Sequence, residues 1–399
     1  ALCILNSIFS LPKLRNVGQN KQIANLVAKT TFKMYSRGAE TTRDSWMYDF
    51  DRNHLISKAR SMIDTYNAEL SRWIRAEMPT DIDNFVLNDE SKIKWSSRLK
   101  ECLARKIEAK YTESSVRTAL YRPFTHQFLY FDNIMTHRQG MLPQIFPTST
   151  SEQENKVICL TDIAAEKPFM VLASNIIPDL HIVGAGANSQ CFPYYTYAED
   201  GSNRRENITD WALEQFRACY SAEVSKWDIF HYIYAMLHHP QYRERYAENL
   251  KRDLPHIPLL LRTEAFQTAV TIGQELMNLH INYEQQEAYP LTSIEDETVP
   301  YEQLTYVTKM KLTPDRTAVI VNKGLTLAGI PEACFSYRLG NRSALEWVID
   351  QYQFSEDARS GITSDPNRLD NPEYIVRLVV DWLKVRPKRS QPRICGRSF

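Results

Sequence analysis

The spacing of apolar residues changes along this chain, and these changes limit the fold more than any other feature. Between 51 and 70 the apolar residues recur at the spacing of an amphipathic helix. Between 157 and 183 they fall in short runs, at 157–160, 169–172 and 181–183, separated by polar residues and proline, as in strands. The sequence therefore predicts an α+β fold in which mixed sheet elements are combined with helical subdomains.

The first helix is expected to bury one face only. The apolar positions that share this face are Leu55, Ala59, Met62, Ile63 and Tyr66. Charged residues lie between them, and the opposite face is expected to carry Arg52, Lys58, Arg60 and Asp64.

Helical spacing returns at Trp227 and continues to Leu237, and a second apolar stripe follows Pro240 as far as Leu250. Proline is tolerated in the first turn of a helix, because its missing N–H would have no partner there. We therefore expect two helices that meet at 238–240, with the second ending before Pro255. Such a pair is a weak indication of DNA binding, since most helical corners are structural.

Local signals also predict a hairpin and a helix start in the last third of the chain. The apolar runs at 316–321 and 325–327 flank Asn322, Lys323 and Gly324, and glycine can supply the positive φ of a short turn. Ser343 and Glu346 have the spacing of a capping box, which predicts that a helix begins there.

Composition restricts the possible classes of protein. The chain has 399 residues, 43% of them hydrophobic, so it can bury one large core or two moderate ones. No apolar run approaches the roughly 20 residues that cross a bilayer, and the first residues lack the basic lead of a secretory signal. Its seven cysteines are far apart, without a C-x-x-C pair. We expect a cytoplasmic protein with reduced thiols and no membrane partner.

Charge argues against nucleic-acid binding through bulk electrostatics. Lys and Arg together number 48, as do Asp and Glu, so the formal net charge is zero. A protein that coats nucleic acid by charge alone has a large basic excess. Any contact with DNA must therefore rest on a local basic patch.

Catalytic motifs are not convincing anywhere in the sequence. The nearest candidate for an S-adenosylmethionine turn is Gly184-Ala-Gly186, which is more simply a loop, and no N-P-P-Y-like or phosphate-binding lysine loop is present. Asp162 with Glu166 and Lys167 lacks the alternation of a nuclease strand. The pair His238-His239 could bind a metal, but a structural role at the helix corner is favoured. We expect neither catalysis nor a metal site.

From about residue 36 to about 380 the sequence resembles the C-terminal specificity region of type I single-polypeptide (type ISP) restriction-modification enzymes. The motifs that carry the resemblance, in order, are GAETTRDSWMYDF at 38–50, IKW at 93–95, YRPF at 121–124, LYFD at 129–132, QCFP at 190–193, LHHPQYRERY at 237–246 and YRLGNRSALEW at 337–347.

This resemblance implies a target recognition domain that binds double-stranded DNA. In the family it is fused to a nuclease, an ATP-driven translocase and an adenine methyltransferase, which use Mg, ATP and S-adenosylmethionine. These domains are the expected partners, and no cofactor is expected in this chain. We interpret 1–35 as a junction after a missing methyltransferase, 36–120 as a mainly helical connector, 121–383 as the α+β recognition region and 384–399 as a divergent basic tail.

Candidate DNA-binding residues come from polar loops and from the family motifs. In the loops, Asn188 and Gln190 have the chemistry to read bases, and Arg204 and Arg205 the chemistry to hold phosphates, although such loops are often only solvated. In the motifs the candidates are Arg122, Arg338, Asn341 and Arg342. For Arg122, stacking on Tyr121 or pairing with a buried acid is at least as good an interpretation.

Two functions of other classes stay open at this point. The chain could be a fragment of an active adenine methyltransferase, which binding of S-adenosylmethionine would reveal. It could also be a protein-interaction module in phage defence, which would agree with the zero net charge.

Overall fold

The structure is a computed structural model that describes residues 30–286 and 289–382. The predicted basic tail at 384–399, and most of the predicted junction at 1–35, lie outside the described residues. In the described part the α-helices are α1 Asp44–Met47, α2 Arg52–Arg75, α3 Ile82–Phe85, α4 Ser97–Ala104, α5 Leu142–Ile145, α6 Ser149–Glu154, α7 Asp210–Cys219, α8 Lys226–His238, α9 Pro240–Arg245, α10 Asn249–Arg252, α11 Thr263–Ile281, α12 Tyr301–Leu304, α13 Ala344–Gln351 and α14 Tyr374–Trp382.

The strands are short and form several small sheets. They are β1 Ser36–Arg37, β2 Tyr48–Asp49, β3 Val116–Arg122, β4 Thr125–Tyr130, β5 Val157–Thr161, β6 Val171–Ser174, β7 Ile177–Pro178, β8 Ser189–Pro193, β9 Tyr195–Thr196, β10 Arg205–Glu206, β11 Thr292–Glu295, β12 Lys311–Leu312, β13 Ala318–Ile320, β14 Leu325–Ala328, β15 Arg338–Leu339, β16 Arg342–Ser343, β17 Ser355–Glu356 and β18 Thr363–Ser364. The predicted α+β class is confirmed.

Four-stranded sheets have the orders β1-β8-β5-β6, β2-β4-β3-β7 and β11-β14-β13-β12, and the pairs β9–β10, β15–β16 and β17–β18 form two-stranded ribbons. The pairs are antiparallel, except that β3 and β7 are parallel, with Ala119 opposite Ile177.

The β1-β8-β5-β6 sheet separates two hydrophobic cores. Along β5, Val157 and Cys159 belong to one core, while Ile158 and Leu160 belong to the other. Successive side chains of a strand point to opposite faces, so a sheet that is covered on both faces needs apolar residues throughout. This is why the run at 157–160 shows no polar alternation.

The first core contains the buried face of α2. The helix predicted at 51–70 is confirmed and runs from Arg52 to Arg75. Its N-cap is Asp51, whose side chain accepts a hydrogen bond from the His54 N–H. Lys58 was expected on the solvent face, and this was wrong. Its side chain is only 6% exposed and pairs with Asp49 at 2.5 Å, because the carboxylate and the backbone carbonyls of nearby residues replace water around the ammonium group.

The second core is built around α8 and α11. A Ser225–Asp228 capping box begins α8, and Pro240 lies in the first turn of α9, so the predicted corner at 238–240 is confirmed. The second helix was expected to run to Leu250. Instead α9 ends at Arg245, and the separate short helix α10 follows.

The predicted hairpin is confirmed, since β13 pairs with β14 with Val319 opposite Leu327. The reason given for Gly324 was wrong, because this residue is not among those with positive φ. A Cβ atom on Gly324 would lie 2.8 Å from Cδ2 of Leu304, so the Leu304 side chain would have to move to admit a larger residue. The turn is instead closed by the Asn322 side-chain oxygen, which accepts hydrogen bonds from the N–H groups of Gly324 and Leu325 at 2.9 and 3.0 Å.

Other local predictions can also be compared with the structure. The Ser343–Glu346 capping box begins α13, as predicted. The described cysteines are free thiols, namely Cys102, Cys159, Cys191, Cys219 and Cys334. Among the residues described, no helix is both long and apolar enough to span a bilayer.

Candidate nucleic-acid interface

Arg338, Asn341 and Arg342 lie on the β15–β16 ribbon, whose turn is Gly340-Asn341. Gly340 has φ +63°, a conformation that favours glycine. The ribbon is anchored from below, because the indole N–H of Trp347 donates to the carbonyl of Leu339 at 2.9 Å and Leu339 is fully buried. The tip of the ribbon is therefore held rigidly while its polar side chains face solvent.

The three side chains are not equally available. Arg338 is exposed, and its guanidinium donates to the carbonyl of Asn341, which is exposed as well. Arg342 is paired with Asp350 at 2.9 Å, and its guanidinium lies 4.9 Å from the centroid of the Trp347 ring. Arg338 and Asn341 thus have the better geometry for a ligand, and Arg342 must first leave its acid partner.

The predicted polar loop before β8 is only partly a loop. The segment 181–183 was expected to be a strand, but it forms a turn, because the carboxylate of Asp179 accepts from the His181 N–H and the carbonyl of His181 accepts from the Gly184 N–H. The chain then passes through Gly184 and Gly186, both at positive φ. The Gly184-Ala-Gly186 segment is neither preceded by a strand nor followed by a helix, so its interpretation as a loop is confirmed.

Asn188 and Gln190 differ in their surroundings. Asn188 is half-buried at the end of this loop, and its carbonyl accepts from the N–H of Asp162 at 2.7 Å. Gln190 was expected on a loop but lies within β8, buried, with its amide donating to the carboxylate of Asp162. The side-chain oxygen of Gln190 has no hydrogen-bond partner. Its position in the sheet keeps it from presenting an amide to a groove without a change in the strand.

The structure brings the β15–β16 ribbon and the loop before β8 together. A Cβ atom on Gly340 would lie 3.1 Å from Cβ of Val183, so the tip of the ribbon packs directly on the turn at 181–183. The tip of the ribbon at 338–342 therefore adjoins the turn that leads into the loop at 184–188, although about 150 positions separate the two segments in the chain. We call the surface made of 184–188 and 338–342 the ribbon–loop surface.

Arg204 and Arg205 lie elsewhere. They belong to the β9–β10 ribbon, which follows the C-terminal end of β8, whereas the ribbon–loop surface adjoins the N-terminal end of β8. At about 3.3 Å per residue, the five residues of β8 separate the two regions by roughly 13 Å. Arg204 is paired with Glu154 at 2.6 Å and lies over the Tyr195 ring, while Arg205 is exposed and donates to the Asn203 side chain at 3.1 Å.

Arg122 supports the fold. Its side chain is 13% exposed and pairs with the buried carboxylate of Asp179 at 2.8 Å. Its guanidinium lies 3.8 Å from the centroid of the Tyr121 ring. Burial raises the pKa of Asp179 to about 6, against the opposing effect of Arg122. This placement favours the structural alternative for Arg122, because its donors already serve a buried acid.

Sequence reasoning missed the acids that hold the candidate arginines. Glu154 and Asp350 lie 50 positions from Arg204 and 8 positions from Arg342, respectively, and neither forms part of a motif with its partner. For Asp350, the spacing from the Ser343–Glu346 capping box was a usable signal, since it places the carboxylate on the helix that follows the ribbon. For Glu154 no local signal exists.

His238, at the helix corner, packs against the rings of Tyr234 and His280. His238 is half-buried, and its Nδ1 lies 2.9 Å from the carbonyl of Tyr234. Burial lowers its pKa to about 3. In the part of the chain that the structure describes, no three His, Cys, Asp or Glu side chains converge to form a possible metal site.

The chain is therefore an α+β domain that presents polar ribbons and loops on two hydrophobic cores. The chain is a member of the type ISP C-terminal specificity domain family, whose profile matches residues 30–378. A comparison with curated proteins gave no match.

Solved structures agree with this assignment. A nuclease-deletion mutant of the type ISP restriction-modification enzyme LlaGI, in complex with a DNA substrate mimic, is 34% identical with a TM-score of 0.78, over 89% of this chain and 32% of that one. The DrdV–DNA complex is 31% identical with a TM-score of 0.79, over 96% and 37%. The ATP-dependent type ISP enzyme LlaBIII bound to DNA is 30% identical with a TM-score of 0.78, over 90% and 22%. The chain thus spans little more than a third of these proteins at most.

Proposed function

We propose that this chain recognises a specific sequence in double-stranded DNA and carries out no catalysis itself, as the specificity part of a type ISP restriction-modification system. The observation that carries the proposal is its similarity, over 89–96% of its length, to three solved structures in complex with DNA or a DNA substrate mimic. The ribbon–loop surface supports the proposal independently, since it presents exposed arginine and asparagine side chains on a rigid base.

In this proposal the ribbon–loop surface enters the major groove. Arginine matches the acceptors of guanine, and asparagine matches adenine, so Arg338 and Asn341 are assigned to base edges. Asn188 lies on the adjoining loop and has suitable chemistry, whereas Gln190 is buried within β8.

The β9–β10 ribbon is assigned to the phosphate backbone. Within 30–286 and 289–382 no acid pairs with Arg205, and so it is expected to contribute more than Arg204. A phosphate that binds Arg204 must replace the ion pair with Glu154, and the two interactions largely offset each other.

The remaining activities of such a system are assigned to partner domains. A methyltransferase would use S-adenosylmethionine, and a translocase with a nuclease would use ATP and Mg. The loop at 184–186 lacks the strand and helix that a cofactor turn requires, which supports a chain that does not bind S-adenosylmethionine itself.

The test begins with selection of the preferred site from a random duplex pool, followed by mobility-shift titrations. Asn341→Ala should cost about 1–3 kcal/mol on the selected site and nothing on a scrambled duplex, because a base contact is lost. Arg205→Ala should weaken binding to both duplexes equally and reduce the steepness of the salt dependence by about 0.9. Arg75→Gln, an exposed charge change outside these surfaces, is the control. A pool that shows no enrichment, with equal binding to all duplexes, would contradict sequence recognition.

A further inference from the structure

Arg37 is an exposed arginine on β1, an edge strand of the β1-β8-β5-β6 sheet. It lies directly opposite Gln190 of β8, which in turn lies opposite Leu160 of β5. Residues that face one another across neighbouring strands point to the same side of a sheet. Leu160 and Gln190 are buried, whereas the Arg37 side chain is 47% exposed. This row of side chains therefore ends in a guanidinium that a ligand can reach.

A buried acid holds this guanidinium in place. Nη2 of Arg37 donates to Oδ2 of Asp162 at 2.9 Å, and the Asp162 side chain is only 9% exposed. The other carboxylate oxygen, Oδ1, accepts from the side-chain amide of Gln190 and from the N–H of Ile163. Both oxygens of Asp162 are therefore engaged, and this acid stays in the sheet when Arg37 meets a ligand.

The other candidate arginines with acid partners are held less firmly. Glu154, the partner of Arg204, is 44% exposed, and Asp350, the partner of Arg342, is 39% exposed. An ion pair between two exposed side chains fixes neither of them well. The buried acid therefore distinguishes Arg37 from these two arginines.

Arg37 keeps most of its hydrogen-bonding capacity while it is paired. A guanidinium has five N–H donors in a planar fork, and the pair with Asp162 uses one of them. In the part of the chain that the structure describes, no other protein acceptor bonds to this guanidinium. A side chain that is already oriented loses less conformational entropy when it binds, so the pair prepares Arg37 for a ligand.

The backbone around Arg37 is fixed beside the ribbon–loop surface. A Cβ atom on Gly38 would lie 2.2 Å from the carbonyl oxygen of Asp179, so the chain leaves β1 in close contact with another segment. The N–H of Asp162 donates to the carbonyl of Asn188 at 2.7 Å. Asp162 thus connects Arg37 to the loop at 184–188, at the end of β8 that the ribbon–loop surface adjoins.

This arrangement suits the edge of a base better than a phosphate. Asp162 offsets the charge of the guanidinium, and the carboxylate of Glu166 lies close to Gly186 of the same loop, so the local charge attracts a phosphate only weakly. Guanine presents two uncharged acceptors, O6 and N7, in the major groove, and arginine matches both with two donors of its fork. Such a match depends on the direction of the fork, which Asp162 sets.

We propose that Arg37 is a further specificity-determining residue, that it binds the edge of a guanine in the major groove, and that Asp162 is the positioning residue that directs its guanidinium. The inference rests on the proposed function and adds a base contact on β1 to those assigned to the ribbon–loop surface. Gln190, whose amide holds Asp162, supports this contact from within β8.

The experiment repeats the selection from a random duplex pool with the parent chain and three variants, each checked by thermal unfolding. Arg37→Lys keeps the positive charge and removes the planar fork. Asp162→Asn keeps the size of the side chain and removes the charge that orients Arg37. Arg377→Lys is the matched control, since Arg377 is an exposed arginine of α14 that also pairs with an acid, Glu373, at 2.7 Å.

The parent should select a site with one G·C pair whose preference disappears in Arg37→Lys, while the preferences at other positions remain. On the parent's site Arg37→Lys should bind about 5- to 150-fold more weakly, as expected for one bidentate contact, and on a scrambled duplex it should bind like the parent. Asp162→Asn should weaken the preference at the same position. Arg377→Lys should select the parent's site.

Two results would overturn the inference and leave the proposed function intact. In the first, Arg37→Lys and Asp162→Asn both select the parent's site, which would make the pair structural only. In the second, Arg37→Gln weakens binding to every duplex equally and reduces the slope of log Kd against log salt by about 0.9, which would make Arg37 a phosphate contact. A parent that enriches no sequence would contradict the proposed function and the inference together.

Discussion

Gly273 lies in the middle of α11, where this helix crosses α8. It belongs to the buried stripe of α11, together with Phe266, Ala269, Met277 and His280. A Cβ atom added at Gly273 would lie 1.9 Å from the carbonyl oxygen of His231 and 2.6 Å from its carbonyl carbon. Both atoms belong to the backbone of α8, so no side chain can turn away to relieve the contact.

Two effects of Gly273→Ala on the free energy of unfolding oppose each other. Their magnitudes decide whether the substitution stabilises or destabilises the protein. Alanine is favoured over glycine in a helix interior by about 1 kcal/mol. Ordinary contacts begin at 3.4 Å, so the Cβ–oxygen distance falls short by 3.4 − 1.9 = 1.5 Å. The helices must move apart along their whole contact, and overpacking of this kind costs about 1–3 kcal/mol or more. The loss of close packing at neighbouring buried residues adds to that cost. We expect a net destabilisation of about 2 kcal/mol.

The assay is urea unfolding of the full chain, followed by circular dichroism and tryptophan fluorescence. Thr271→Ala, on the exposed face of the same helix, is the control, and it should be neutral or stabilising by a few tenths of a kcal/mol, or about 0.5 at most. A Gly273→Ala protein as stable as the parent, or more stable, would refute the close approach of α8 and α11.

Three further outcomes are expected. Titration calorimetry should detect no binding of S-adenosylmethionine to the chain, and micromolar affinity would contradict a non-catalytic role. Asp179→Ala should lower the free energy of unfolding by about 3 kcal/mol, because the buried Arg122 guanidinium is left with Asp44, at 3.7 Å, in place of its closer partner; a loss below about 1 kcal/mol would show that water reaches the pair. Burial alone would raise the pKa of Glu284. Hydrogen bonds from His126 and Tyr374, together with the charge of His126, outweigh the effect of burial on this pKa. The pKa is therefore about 2, below its ordinary value of 4.5. The stabilisation from this carboxylate is therefore complete above pH 4.5 and is lost as the pH falls towards 2, so the advantage of the parent over Glu284→Gln in urea unfolding should shrink over that range.

Local patterns predicted local structure well. The helix at Arg52–Arg75, the corner at Pro240, the Ser343–Glu346 capping box and the hairpin of β13 with β14 depend on residues within a few turns or a few positions of one another. Hydrophobic spacing, proline position and capping chemistry act over that range, and these features were therefore visible in the sequence.

Predictions that depended on distant partners failed. The helical spacing places Lys58 on the solvent face, but in the structure it pairs with Asp49 of the neighbouring strand. Ile182 and Val183 look like strand residues, yet they are buried in a turn held by Asp179. Gln190 looks like a loop amide, but pairing with β5 and β1 makes it part of the sheet. For Lys58 and Gln190, pairing with another element decided the outcome, whereas the turn at 181–183 is closed by local hydrogen bonds of Asp179 and His181 that hydrophobic spacing does not reveal.

The candidate site shows the same division. The residue types at 338–342 pointed to DNA recognition, and the resemblance to type ISP specificity regions covered them. Their proximity to 184–188 was not predictable, because it follows from the packing of Gly340 on Val183.

Competition binding of the full chain tests sequence recognition most directly. A labelled duplex with the selected site is bound at moderate salt, and unlabelled duplexes with the same site or a scrambled site are added. A specific domain should discriminate between them by about 10³-fold or more, the lower limit for specific over non-specific binding, while its affinity for both falls steeply as salt is raised. Equal competition by the two duplexes at every salt concentration would contradict recognition of a DNA sequence by this chain.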